Sequence, residues 1–147
     1  MLRQSKSPII TNTLNMKKKD PIVEARRYVD NAKTVLAEKA ELDLETQSYQ
    51  DPKFVRTAGN YLWLGVLQAL DAVFHVRKDR RTRVAIDDYT AVIGQRDHKL
   101  LDWVNSAYLV MHLNMNYDGV QDKGICQRGV HLANDIIDRC AMMYRKG

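Results

Sequence analysis

The stretch AGNYLWLGVLQALDAVF, residues 58–74, decides the fold. It is apolar nearly all the way round a helix, but Gln68 and Asp71 interrupt it and it is too short to span a bilayer. A helix of that composition is the central, most buried member of a bundle. Asp51-Pro52 opens it, since Asp is a favoured N-cap and Pro fits the first helical turn. The pattern predicts a helix from there to about Val76. One thin polar line runs along it through Thr57, Asn60, Gln68, Asp71, His75 and Lys78, broken by Leu64. Ala58, Gly65, Ala69 and Ala72 share another face and allow close helix approach.

Upstream, Asp20-Pro21 repeats the same start signal. Ile22, Ala25, Val29, Ala32, Leu36 and Ala40 then follow in steps of three and four, the narrow apolar seam of a first helix. The acidic, polar stretch 41–50 ends it. Downstream, a basic connection from Arg77 to Arg83 leads into a short helix over about 86–93, with Ile86, Tyr89 and Ile93 inward. A fourth helix is predicted over about 99–116, with Leu101, Val104, Tyr108, Met111 and Met115 as its seam. Tyr117-Asp118-Gly119 is a turn signal, and Asp118 with Gln121 suits a capping box for the last helix. That helix turns Ile125, Leu132, Ile136 and Cys140 inward and ends near Tyr144. No segment alternates with period two over a useful length, and nothing repeats. The expectation is an all-α, antiparallel bundle of four to five helices, one domain over residues 20–147.

The formal net charge of +5 is unevenly placed. Residues 1–19 carry Arg3, Lys6, Lys17, Lys18 and Lys19 with no acid, and from Asp20 onward 18 Lys/Arg meet 18 Asp/Glu. The excess therefore sits in a tail read as disordered, with Met16 as an alternative start, and the domain is neutral. Net charge then gives no argument for nucleic-acid binding. The loop after the first helix is acidic (Glu38, Glu41, Asp43, Glu45, Asp51) while the loop after the second is basic, so the two ends of the bundle differ. Pro8-Ile9-Ile10 is too short for the apolar region of a signal peptide, and with no membrane span the expected location is cytoplasmic. Cys126 and Cys140 fall in one helix, roughly 21 Å apart along its axis. That is beyond disulfide reach, and free buried thiols suit a reducing compartment.

Candidate chemistry lies in three places. Asp71 and His75, at i and i+4, can form a carboxylate–imidazole pair; the competing reading is the solvent-facing line of a buried helix. Asn105, His112 and Asn116 make a similar line on the fourth helix, and with Tyr117 and Asp118 they outline a small polar pocket. The structural alternative exposes Asn105 and His112, caps a helix with Asp118 and packs Tyr117. Arg77, Lys78, Arg80, Arg81 and Arg83 form a basic patch suited to phosphate or an acidic partner, without interleaved aromatics to stack bases. Trp63 and Trp103 read as core or interface. No two histidines have metal-ligand spacing and neither cysteine has a paired neighbour, so neither a metal nor a cofactor is expected. The sequence contains no phosphate-cradling Gly-rich loop, nucleophile elbow or zincin helix.

Three stretches carry a family resemblance: ARRYVDNA at 25–32, the central helix at 58–74, and NSAYLVMHLNMNYDG at 105–119 followed by ANDII at 133–137. Their order resembles the HEPN superfamily of small antiparallel bundles, and within it a group of bacterial helical-bundle proteins with no assigned function. Catalytic members of that superfamily share an Arg, four to six residues, then a His, a pair that supports metal-independent RNA cleavage. None of His75, His98, His112 and His131 has an Arg at that spacing, and Arg128 to His131 leaves only two residues between. The resemblance without that motif implies dimerisation or a non-catalytic partner role, as in toxin–antitoxin pairs with nucleotidyltransferases. Three readings follow: a non-catalytic interaction protein forming a homodimer or binding a protein partner; a degenerate nucleotide or RNA binder using the basic loop; and, last, a ribonuclease with an unrecognised site.

Overall fold

The computed structural model describes residues 19–77 and 84–146. Residues 1–18 of the tail, Met16 among them, and Lys78, Arg80, Arg81 and Arg83 of the basic patch, lie outside the described residues. In chain order the elements are α1 (Pro21–Glu38), a hairpin of β1 (Leu42–Asp43) and β2 (Ser48–Tyr49), α2 (Pro52–Phe74), α3 (Ile86–Gly94) and α4 (His98–Ala107). A π-helical segment (Tyr108–Tyr117) continues α4 without a break, and α5 (Lys123–Lys146) closes the chain. The mostly helical architecture follows from the two Asp-Pro starts. Asp20 Oδ1 accepts the Ile22 N–H at 2.8 Å, and Asp51 Oδ1 accepts the Lys53 N–H at 3.0 Å, each satisfying a donor of the first turn.

α2 is the axis of the molecule. It packs against α1, α5 and the π-helical segment, burying among others Val55, Leu62, Val66, Ala69 and Leu70. α1 buries the narrow seam its spacing predicts, from Ile22 to Leu36. Two glycines set how closely the neighbours approach. A Cβ on Gly65 would lie 2.9 Å from the Ala25 carbonyl of α1, and one on Gly59 would lie 2.7 Å from both the Met111 carbonyl and the Asn116 nitrogen. Met111 and Asn116 are five residues apart, the spacing of one π-helical turn, so α2 rests its backbone on that turn.

The structure differs from the sequence expectations at three points. Residues 41–50, expected only to end the first helix, form the hairpin, with Leu42 paired to Tyr49 and Asp43 to Ser48. Strands of two residues are too short to leave an alternating signal. The predicted fourth helix changes from α to π at Tyr108. At α5 the cap is Asp122, whose Oδ2 accepts the Ile125 N–H at 2.9 Å, and not Asp118. Gln121 serves the hairpin instead: its side chain donates to the Tyr49 carbonyl at 2.8 Å, and its carbonyl accepts the Tyr49 N–H at the same distance. Among the described residues no helix is long and apolar enough to cross a membrane.

Candidate functional site

A cleft of about 260 Å³ opens where the middle of α2, the start of α3 and the π-helical segment meet. Trp63 and Leu67 come from α2, Ile86 and Tyr89 from α3, and Tyr108 and His112 from the π-helical segment. The π-helical segment sets Tyr108, His112 and Tyr117 along one side. Centroids of Tyr108 and His112 are 5.3 Å apart, and Tyr117 meets His112 edge-on at 5.0 Å. Trp63 stacks on His112 at 5.7 Å with 28° between planes and meets Tyr108 edge-on at 5.6 Å. The result is an aromatic strip that starts in the core at Trp63, 7% exposed, and ends at Tyr117, 65% exposed.

His112 is the chemically distinctive member. Its Nδ1 is buried and has no hydrogen-bond partner among the described residues. Leaving such an atom unsatisfied costs about 1–3 kcal/mol. Burial lowers the pKa of the ring below its ordinary value, so the imidazole is neutral at pH 7, with one donor and one acceptor nitrogen.

Asp71 reaches the same cleft through another side chain. Its two oxygens accept the Tyr89 hydroxyl at 2.9 and 3.0 Å, and Oδ1 also accepts the Arg77 backbone N–H at 3.1 Å. Burial raises its pKa, opposed by the bonds from Arg77 and Tyr89. Desolvation, then the facing carboxylate, push the Tyr89 phenol upward. His75 is exposed and serves as the left-handed cap of α2 at φ 54°, its own N–H bonded to the Asp71 carbonyl at 3.1 Å. Ending α2 at Phe74 takes residue 75 off the helical register that sets i against i+4.

Of the polar pocket read from the sequence, His112 and Tyr117 touch and Asp71 meets the cleft through Tyr89. Asn116 is half-buried beside the Gly59 contact, and Asn105 and Asp118 are exposed. Arg77 is exposed, its backbone anchored on Asp71. Sequence reasoning did not include Trp63, Tyr89 and Tyr108 in the site; the available signal was the i, i+4 pair Tyr108–His112 in an otherwise aliphatic seam. Other hollows lie elsewhere among the described residues. One of about 400 Å³ is mostly aliphatic, lined by Leu36, Leu42, Tyr49 and Val130 with Lys33 and His131. One of about 290 Å³ lies between the start of α1 and the end of α5, with Arg26 and Arg145. Among the described residues no group of three or more His, Cys, Asp or Glu could hold a metal. Cys126 and Cys140 are free and buried, and burial pushes both thiols up to about 12.

No curated protein matches this sequence. Among solved structures it is similar to a protein of unknown function from Dyadobacter fermentans, 38% identical, covering 83% of this chain and 94% of that one with a TM-score of 0.76. The family described as domain of unknown function (DUF5618) matches residues 20–142, from the N-cap of α1 to near the end of α5, and the chain belongs to that family.

Proposed function

We propose that this chain is a non-catalytic, HEPN-like helical interaction protein that pairs with a second copy of itself through the outer face of the π-helical segment. The supporting observation is the outer end of the aromatic strip. Tyr117 is 65% exposed while its ring is braced by His112, and Leu109, earlier on the same segment, is 52% exposed. Aromatic anchors dominate the energy of protein interfaces, and one already braced loses less side-chain freedom on binding. Several reactive groups elsewhere among the described residues are engaged in structural bonds or disfavoured by burial. Asp71 accepts Tyr89 and Arg77, Asp97 is engaged by Arg139, and burial disfavours both thiolates. A cytoplasmic location belongs to the same reading, since buried free thiols suit a reducing compartment.

Sedimentation of the full chain tests it. A dimer is expected, converted to monomer by Leu109→Ser with Tyr117→Ser at unchanged helicity; a monomer at high micromolar concentration would refute the pairing. Cleavage of RNA by the purified protein would refute the non-catalytic part.

A second reading has one observation behind it. The basic run Arg77 to Arg83 ends in sequence next to Val84, which lines the cleft, and its charge suits phosphate. RNA binding that weakens steeply with salt and vanishes on neutralising those residues would favour it over pairing.

A further inference from the structure

We infer that the cavity between the end of α1, the hairpin and the first half of α5 binds a small molecule with a medium-length apolar chain ending in a carboxylate. The chain lies along the aliphatic wall, and the carboxylate meets Lys33 and His131 at the rim. The inference goes beyond the pairing reading, since neither Leu109 nor Tyr117 lines this cavity.

At about 400 Å³ the cavity falls within the range of about 300–1,000 Å³ that holds small ligands. A water takes about 30 Å³ in the liquid, so there is room for roughly a dozen non-hydrogen atoms. The walls are mostly apolar: Leu36 from α1, Leu42 from β1, Tyr49 from β2 and Val130 from α5. Leu42 and Tyr49 are directly paired across the hairpin, so their side chains share one face of it. That wall is pinned in place. Gln121 accepts the Tyr49 N–H with its carbonyl and donates to the Tyr49 carbonyl with its side chain, both at 2.8 Å. At the start of α5 the Lys123 N–H donates to the Gln47 carbonyl at 3.0 Å. The cavity is therefore built on fixed elements, and a ligand there has little chain to order.

The polar part of the lining selects the head group. Lys33 on α1 and His131 on α5 are exposed, and no Asp or Glu lines the cavity. Among the described residues, no ion pair or side-chain hydrogen bond engages either of them. Asp43, next to Leu42, falls on the opposite face of β1, its Oδ1 accepting the Glu45 N–H at 2.9 Å. The hollow beside Arg26 and Arg145 lacks this combination. Asp20 lines it, Asp138 engages Arg26 at 2.8 Å, and Arg145 donates to the Ala141 carbonyl at 3.3 Å. An uncommitted ammonium and an imidazole N–H above an apolar wall favour an anion with an apolar tail. At the exposed rim the carboxylate keeps water on its outer side and escapes the cost of a buried charge. Lys33 is the only Lys or Arg in the lining, so a singly charged head suits it better than a dianionic phosphate.

The test titrates octanoate, hexanoate, 1-octanol, octylammonium and octyl phosphate into the full-length, isotope-labelled protein, followed by methyl NMR. Octanoate is expected to give saturable shifts of the Leu36, Leu42 and Val130 methyls. Hexanoate should bind about fifteenfold more weakly, the effect of two methylenes. 1-Octanol should bind about fivefold more weakly than octanoate, the effect of one exposed ion pair. Octylammonium should bind more weakly still, and octyl phosphate no tighter than octanoate. In Lys33→Gln with His131→Gln, both at exposed positions, octanoate should lose its advantage over 1-octanol while 1-octanol binds as before. Ala37→Trp, at an exposed position that lines the cavity, should weaken every probe at unchanged helicity. Octanoate shifts that never saturate, or 1-octanol or octylammonium binding as tightly as octanoate, would overturn the inference. So would tighter binding of octyl phosphate, an advantage surviving in the folded double variant, or undiminished binding in folded Ala37→Trp. Shifts of the same methyls with protein concentration alone would mean that a second copy covers the site, and would overturn it too. The wild-type comparison decides the matter even if a variant fails to fold. The Leu109→Ser, Tyr117→Ser protein should keep the octanoate preference, so failure of pairing and failure of ligand binding are separable.

Discussion

A methyl group on Gly59 would fall within 2.7 Å of both backbone partners of a π-helical turn, neither of which is the movable end of a side chain. Gly59→Ala is therefore expected to cost about 3 kcal/mol, read as a lower urea midpoint, at the upper end of overpacking losses. Tyr89→Phe removes only a hydroxyl, leaving Asp71 with the Arg77 N–H, and should cost about 1–2 kcal/mol by the same measurement. His112 makes stability depend on pH. Its folded pKa lies below the ordinary 6.5, so the unfolded chain takes up a proton first. Stability should fall as pH drops past 6.5 and stop falling below the lowered value, and His112→Phe should remove that part of the slope. Asp71 has the opposite sign: its raised pKa means stability declines as pH climbs above 3.8. Asp71 was legible in the sequence as the one acid in an apolar helix. Its hydrogen-bond partner Tyr89 was not, because the spacing pointed to His75, which serves as the left-handed cap of α2, and Tyr89 comes from another helix.

At the scale of elements, the helix starts were legible and the change of helix type was not. Asp-Pro announces α1 and α2 because cap and fixed φ act locally. The seam Val104, Tyr108, Met111, Met115 fits α spacing, and the wider turn from Tyr108 is packed against Gly59, a residue far away in sequence. The hairpin was missed for a related reason: what holds it, Gln121 and Asp122, lies about seventy residues downstream. α4 carries a prediction of its own. Asp97 caps it at the Leu100 N–H and takes two bonds from Arg139 at 2.6 and 3.0 Å, fastening α4 to α5. Asp97→Ala should cost about 1–2 kcal/mol, most of it the cap, since the Arg139 end is more than a third exposed and solvent screens it. Asp97→Asn keeps a capping oxygen and should cost less. The Arg139 side chain holds the Asp97 carboxyl below its usual 3.8, so this contribution is present above that pH and is lost as pH falls through the lowered value.

At the scale of the whole molecule, one feature of the sequence organises the rest: a helix too apolar to have a solvent face must have neighbours on nearly every side. α1, α5 and the π-helical segment supply them, and the family match covers that assembly as far as residue 142. The cleft was less legible because it belongs to no element; it exists only where α2, α3 and the π-helical segment converge. The two cysteines extend this to the timescale on which the assembly comes apart. Cys126 lies near the start of α5 and Cys140 directly after Arg139, both fully buried with thiols that resist ionisation. An alkylating reagent can reach either only during a transient opening, so each thiol is a clock read by mass spectrometry. Equal rates would mean that the bundle opens as one unit, as its single shared core predicts. A faster clock at Cys126 would reveal that the hairpin end loosens first, with the molecule keeping two times rather than one.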